Sequence, residues 1–111
     1  MSSMFVRYST FVANGHLQGR LYDVGLYPAA IESTQRAEKV YGEIYRIKNR
    51  AILTALDKYE GCSLKFPEPR EYRRKKLSVR TVQGTELFAW VYVYNRDVSM
   101  LKRIQSGDYL R

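Results

Sequence analysis

With 111 residues, 45% hydrophobic and 14% aromatic, the chain suits one domain (residues 1–111) with one core, and the disordered class is excluded. No apolar run approaches the roughly 18 to 20 residues of a membrane span, and Cys62 is the only cysteine, so no intrachain disulfide can form. The net charge of +8 attracts polyanions without any motif, yet the 19 basic residues are spread from Arg7 to Arg111.

The N-terminus, Met1 to Arg7, has neither a charged n-region nor an apolar h-region, and the cytoplasm is the expected compartment. His16 to Val24 alternates loosely and predicts a strand, with Gly19 marking a bulge or a close backbone contact. Tyr27 to Ile31 predicts a short extended piece, and the polar stretch from Glu32 to Glu38 a loop. In Val40 to Ile47 the residues Val40 and Ile44 alternate with Tyr41, Tyr45 and Ile47, the two-residue period of a strand covered on both faces.

Asn49 is a suitable N-cap for a helix from Arg50 to Tyr59, with Ile52, Leu56 and Tyr59 on one stripe and Leu53 and Ala55 beside it. Pro67 and Pro69 make Cys62 to Pro69 a loop. Tyr72 to Val82 and Thr85 to Tyr94 predict two strands joined by a short connection at Gln83-Gly84. The second is expected to be central, with Leu87, Ala89, Val91 and Val93 on one face and Phe88, Trp90, Tyr92 and Tyr94 on the other. That aromatic face can pack in a core, line a ligand pocket or meet nucleic-acid bases. The dense basic run Arg73 to Lys76 lies in the first of the two strands and reads as protection of a strand end rather than as a binding site, so nucleic acid is not the expected partner. The tail from Val98 to Arg111 carries a turn signal at Ser106 to Tyr109 and is expected to pack back irregularly. Strands outnumber helices without a βαβ rhythm, which predicts an α+β fold: a small mixed, partly closed β-barrel with one or two short helices.

His16 is the only histidine, so no His and Cys set for zinc exists, and no phosphate-binding or dinucleotide fingerprint is present. Neither a metal nor another cofactor is expected. Leu56-Asp57-Lys58-Tyr59-Glu60-Gly61 closes the helix with a carboxylate at its C-terminal end. The helix dipole opposes ionisation there, and burial would raise the Glu60 pKa further, which suits a general base that must later act as an acid. Equally, Gly61 is a C′ cap and Glu60 a solvated last-turn residue.

Six ordered segments, LYDVGLYPAA (21–30), VYGEIYRI (40–47), LDKYEG (56–61), EYRRKKLSV (71–79), AWVYVYN (89–95) and IQSGDYL (104–110), resemble the γ-glutamylcyclotransferase-like family. The resemblance covers about residues 11–110 and implies the same small barrel. It also implies a cofactor-free intramolecular aminolysis of a small γ-glutamyl amine or peptide to 5-oxoproline, with Glu60 as acid and base. Tyr22, Tyr27 and Tyr72, within or beside these segments, are the candidate substrate-binding residues. A catalytically silent binding or interaction domain of the same fold is the alternative.

Family members begin with a strand and glycine loop of the form FVYGTL or FVYGSL, whose amides hold the substrate carboxylate. Here Phe5 to Phe11 reads FVRYSTF, either a degenerate remnant of that loop or part of the segment leading into LYD, with Thr10-Phe11-Val12 at the usual distance ahead of Leu21. A missing first strand leaves neighbouring edges unpaired, which predicts that Phe5 to Phe11 or a second copy in a homodimer covers them.

Overall fold

The computed structural model describes residues 9–25, 27–59 and 71–109. Six strands and one helix occur among them in the order β1 (Ser9–Asp23), β2 (Pro28–Glu32), β3 (Lys39–Ile47), α1 (Ala51–Tyr59), β4 (Tyr72–Thr81), β5 (Glu86–Tyr94) and β6 (Lys102–Ile104). Every ladder among them is antiparallel. The fold is α+β, as the sequence predicts.

β1 organises the molecule. Its first half pairs with β3, Ser9 opposite Ile47 through Gln18 opposite Lys39, and its last residues pair with both β2 and β6. In between, Gly15 and His16 pair with Thr81 and Arg80 and so attach the β4–β5 hairpin. Gly15 is needed at that junction, since a Cβ there would meet the Arg80 carbonyl oxygen at 2.5 Å and Ile44 Cδ1 at 2.8 Å. Gly19 likewise lies against the Ile31 carbonyl, the close backbone contact anticipated from its place in a strand. The bulge sits elsewhere, between Phe11 and Ala13. Thr10, Phe11 and Val12 belong to the strand that runs into LYD, while residues 5–8 lie outside the described residues.

Interior positions are filled by Ala13, Leu21, Val40, Ile52, Leu56 and Val79, all buried. β2 and β5 approach each other, but no ladder among the described residues joins them, so the sheet curls without closing. Two expectations are corrected here. β5 is not central: its only ladder among the described residues is with β4, and none of its residues is buried. Its apolar alternation reflects packing on one side of a strand whose edge is open. β3 is not covered on both sides either, because Tyr41 and Tyr45 are exposed while Val40 faces the core.

The hairpin connection spans the four residues 82–85. The Gly84 N–H donates to the Thr81 carbonyl at 2.9 Å, and Gly84 has φ +91°, a conformation open to glycine and strained for other residues. Three of the four residues in the basic run have partners across the fold: Arg74 pairs with Asp57 at 2.8 Å, Lys75 with Glu32 at 2.5 Å, and Lys76 lies over the Trp90 ring at 6.0 Å. The tail is more regular than its sequence suggests, because β6 pairs Lys102 to Ile104 with Asp23 to Leu21.

α1 is a two-and-a-half-turn helix, too short to persist by propensity. Asn49 caps it, its Oδ1 accepting from the Ala51 N–H at 2.9 Å. Burial of Ile52 and Leu56 stabilises the docked helix by about 1.5 to 3 kcal/mol each. Asp57 fastens it to the hairpin by accepting from the Tyr92 hydroxyl at 2.8 Å and pairing with Arg74. Asn49→Ala is expected to cost about 1 kcal/mol, with Asn49→Asp retaining most of the stability, as read by urea denaturation.

Candidate functional site

Beside α1 lies a cavity of about 850 Å³. β3 contributes every residue from Val40 to Ile47 to its wall, and β5 every residue from Leu87 to Tyr92. The cavity is an open slot bordered by β3 and β5. Gly15, His16 and Leu17 of β1 and Lys76 and Val79 of β4 also contribute, and Leu53 and Leu56 of α1 add to the lining with Arg50 just before them. The β3 edge is partly closed by the tail turn, where the Tyr41 N–H donates to the Gly107 carbonyl at 2.8 Å.

The charge in the lining is unbalanced. Among the described lining residues, His16, Arg46, Arg50 and Lys76 stand beside one carboxylate, Glu43, which accepts from the Tyr45 hydroxyl at 3.0 Å. Partial burial, then Lys39 and Arg80 nearby, lower the His16 pKa, so the imidazole is neutral near pH 7 and the other three residues carry the positive charge. Four rings at the slot are open to solvent: Trp90 and Tyr41 are each 47% exposed, Phe88 is 68% exposed and Tyr45 37%. Trp90 is held by Arg74, whose guanidinium lies 4.5 Å from the ring centroid.

Glu60, the principal site residue anticipated from the sequence, follows the last residue of α1 and lies outside the described residues. Tyr22 is buried in β1, between Ala29 of β2 and Arg103 of β6. Tyr27 and Tyr72 do come together, with ring centroids 6.4 Å apart, and Tyr94 packs edge-on against Tyr72 at 5.5 Å. No ring contact among the described residues joins Tyr22 to this pair, and none of the three lines the slot. Arg46 and Arg50 are not singled out by sequence; Lys76 reads there as protection of a strand end, and Trp90 as part of an aromatic face that can pack in a core, line a ligand pocket or meet bases. The one available signal was the alternation in both hairpin strands, which becomes informative once Lys76 is known to pair with Trp90.

The Tyr27 hydroxyl donates to Glu71 Oε2 at 2.6 Å, and Arg96 lies 3.6 Å from the same oxygen. The bond to Glu71 and then partial burial push the Tyr27 pKa up to about 12. A folded pKa above the unfolded value means that the native state holds the proton more tightly. The contribution to stability is therefore complete below about pH 10 and lost between about 10 and 12. Tyr27→Phe is expected to flatten the decline of the urea midpoint over that window and to remove the late-titrating phenolate from an absorbance titration.

The chain matches the family described as "Gamma-glutamyl cyclotransferase, AIG2-like" over residues 2–111. It is 40% identical over 91 residues to the gamma-glutamylcyclotransferase family protein YtfP of Escherichia coli, covering 82% of this chain and 67% of that protein. A relative from Methanocaldococcus jannaschii is 30% identical over 107 residues, covering 95% of this chain and 80% of its own. The solution NMR structure of the Escherichia coli protein superposes with a TM-score of 0.70 at 33% identity, over 98% of this chain and 84% of the other. An uncharacterized protein from Pyrococcus horikoshii shares the fold, with a TM-score of 0.57 at 21% identity over 96% and 75% of the two chains. A curled antiparallel sheet with one helix on its open side, a full-length family match and relatives at this identity agree: the chain belongs to the γ-glutamyl cyclotransferase, AIG2-like family.

Proposed function

We propose that the protein converts a small γ-glutamyl amine or peptide into 5-oxoproline and a free amine, with Glu60 as the proton carrier and no cofactor. The observation that supports this reading most is the position of α1: Leu53 and Leu56 of the helix line the slot, and Glu60 follows its last residue in the chain.

In this reaction Glu60 takes a proton from the substrate's α-amino group. The freed amine attacks the γ-carbonyl carbon of the same molecule, and a tetrahedral intermediate forms. Glu60 returns the proton to the leaving nitrogen as the γ-amide bond breaks. The nucleophile belongs to the substrate, so the protein supplies orientation and proton transfer. Well-oriented ring closures reach effective molarities of roughly 10⁵ to 10⁸ M, which makes holding the substrate folded the larger contribution. Placing the acid/base at a helix C-terminus favours its protonated form when the leaving amine must be protonated.

The test is 5-oxoproline release from a panel of γ-glutamyl amines and peptides by wild type and Glu60→Gln. Release that falls sharply in Glu60→Gln supports the reading, and release undiminished by the substitution overturns the mechanism. Absence of product from every substrate would favour the silent alternative. A substrate-binding role for Tyr22, Tyr27 or Tyr72 rests on the sequence, and a raised KM with unchanged kcat in Tyr27→Phe or Tyr72→Phe would support it.

A further inference from the structure

We infer that the slot selects γ-glutamyl dipeptides whose leaving residue is aromatic and carries a free carboxylate, an inference that rests on the cyclotransferase reading above. The first ground is size. At about 850 Å³ the cavity lies in the upper part of the range for ligand pockets and holds far more than a glutamyl group. The space left over belongs to the leaving portion of the substrate.

The second ground is the chemistry of the lining. Leu53, Leu56, Val79 and Leu87 offer an apolar surface, and Tyr41, Phe88 and Trp90 present exposed rings. Trp90 is pre-positioned, because Arg74 packs on its ring and is itself fixed by Asp57 of α1. A ring held in this way stacks on an incoming aromatic group with little loss of side-chain freedom.

The third ground is charge. Among the described residues Arg46, Arg50 and Lys76 have no carboxylate partner, although each lines the slot. Among the described lining residues Glu43 is the one carboxylate beside them. Two cations are then in excess: one suits the α-carboxylate that every γ-glutamyl substrate carries, and the other suits a second carboxylate, which a leaving amino acid brings and a simple amine does not.

Three substrates separate these elements: γ-glutamyl-phenylalanine, γ-glutamyl-alanine without the ring, and γ-glutamyl-phenethylamine without the carboxylate. Wild-type kcat/KM is expected to favour the phenylalanine compound over the alanine compound by about tenfold. Its advantage over the phenethylamine compound is expected to be about fivefold, as for partly exposed charge pairs. Trp90→Ala should collapse the first ratio, and Arg50→Gln with Lys76→Gln the second. If Trp90→Ala fails to fold by circular dichroism, the wild-type series decides the matter alone.

Trp90, the only tryptophan in the sequence, also reports binding by its fluorescence. Equal turnover of all three compounds overturns the inference and leaves the cyclotransferase reading intact. If none is turned over but γ-glutamyl-phenylalanine alone perturbs Trp90 fluorescence, the selectivity holds as a binding preference and the cyclotransferase reading falls. Neither turnover nor a fluorescence change with any compound overturns both.

Discussion

Glu60→Gln is expected to lower kcat for 5-oxoproline release by about 10² to 10⁴, the contribution of one positioned acid/base group. Glutamine keeps the length and hydrogen-bonding capacity of the side chain and cannot carry a proton between the two nitrogens. A general loss of structure would also remove activity, so the urea midpoint should be measured alongside and should stay within the small range of surface substitutions. The residual rate carries information as well. Orientation of the substrate is untouched by this change, so the variant should still exceed the uncatalysed cyclisation. A fall to the background rate would mean that Glu60 also holds the substrate.

The second large effect is on stability. Gly107→Ala is expected to lower the free energy of unfolding by about 2 to 5 kcal/mol, with a reduced urea midpoint and little change in the denaturant slope. Gly107 has φ +70°, where an alanine costs about 1 to 2 kcal/mol, and a Cβ at this position runs into the Lys39 carbonyl oxygen. Relieving that overlap costs about 1 to 3 kcal/mol more, because the obstacle is backbone. The turn must then move away from β3, loosening the bond from the Tyr41 N–H to the Gly107 carbonyl that secures one end of the slot. Gly42 is the matched comparison. A Cβ there meets nothing within 4 Å, so Gly42→Ala should be close to neutral. Equal losses for the two would show that the tail turn is not packed against β3 as described.

Local pattern in the sequence carried much of the fold. The alternation in 72–81 and 86–94 placed both hairpin strands to within a residue or so, and Asn49 marked the start of α1 because N-capping is a short-range interaction. Long-range pairing was not legible. β1 begins at Ser9, well before the predicted start at His16, because Asn14-Gly15-His16 has no strand-like alternation. Gly15 is tolerated there because the hairpin backbone approaches it from the side. β6 spans three residues, too few for a period to show, and exists because the end of β1 offers it a partner. The position of β5 was misjudged for a related reason. Apolar residues on both faces suit a central strand, but they also suit an edge strand that borders a cavity.

The same division applies to the site. A carboxylate at a helix end and its neighbouring glycine are contiguous in the chain, so Glu60 could be singled out by position. The walls of the slot come from five elements, and which cations stand beside which rings is set by strand register. Lys76 and Trp90 are fourteen residues apart and meet only because Arg80 pairs with Glu86 at the far end of the hairpin.

Intramolecular aminolysis differs from hydrolysis in what becomes of solvent oxygen, so product analysis in ¹⁸O-enriched water tests the central claim most directly. Mass spectrometry of the product from a γ-glutamyl dipeptide should show 5-oxoproline without solvent oxygen, together with the free amino acid, in a reaction slowed by about 10² to 10⁴ in Glu60→Gln. Glutamate carrying one ¹⁸O would contradict the account, because water and not the substrate's own amine would then be the nucleophile.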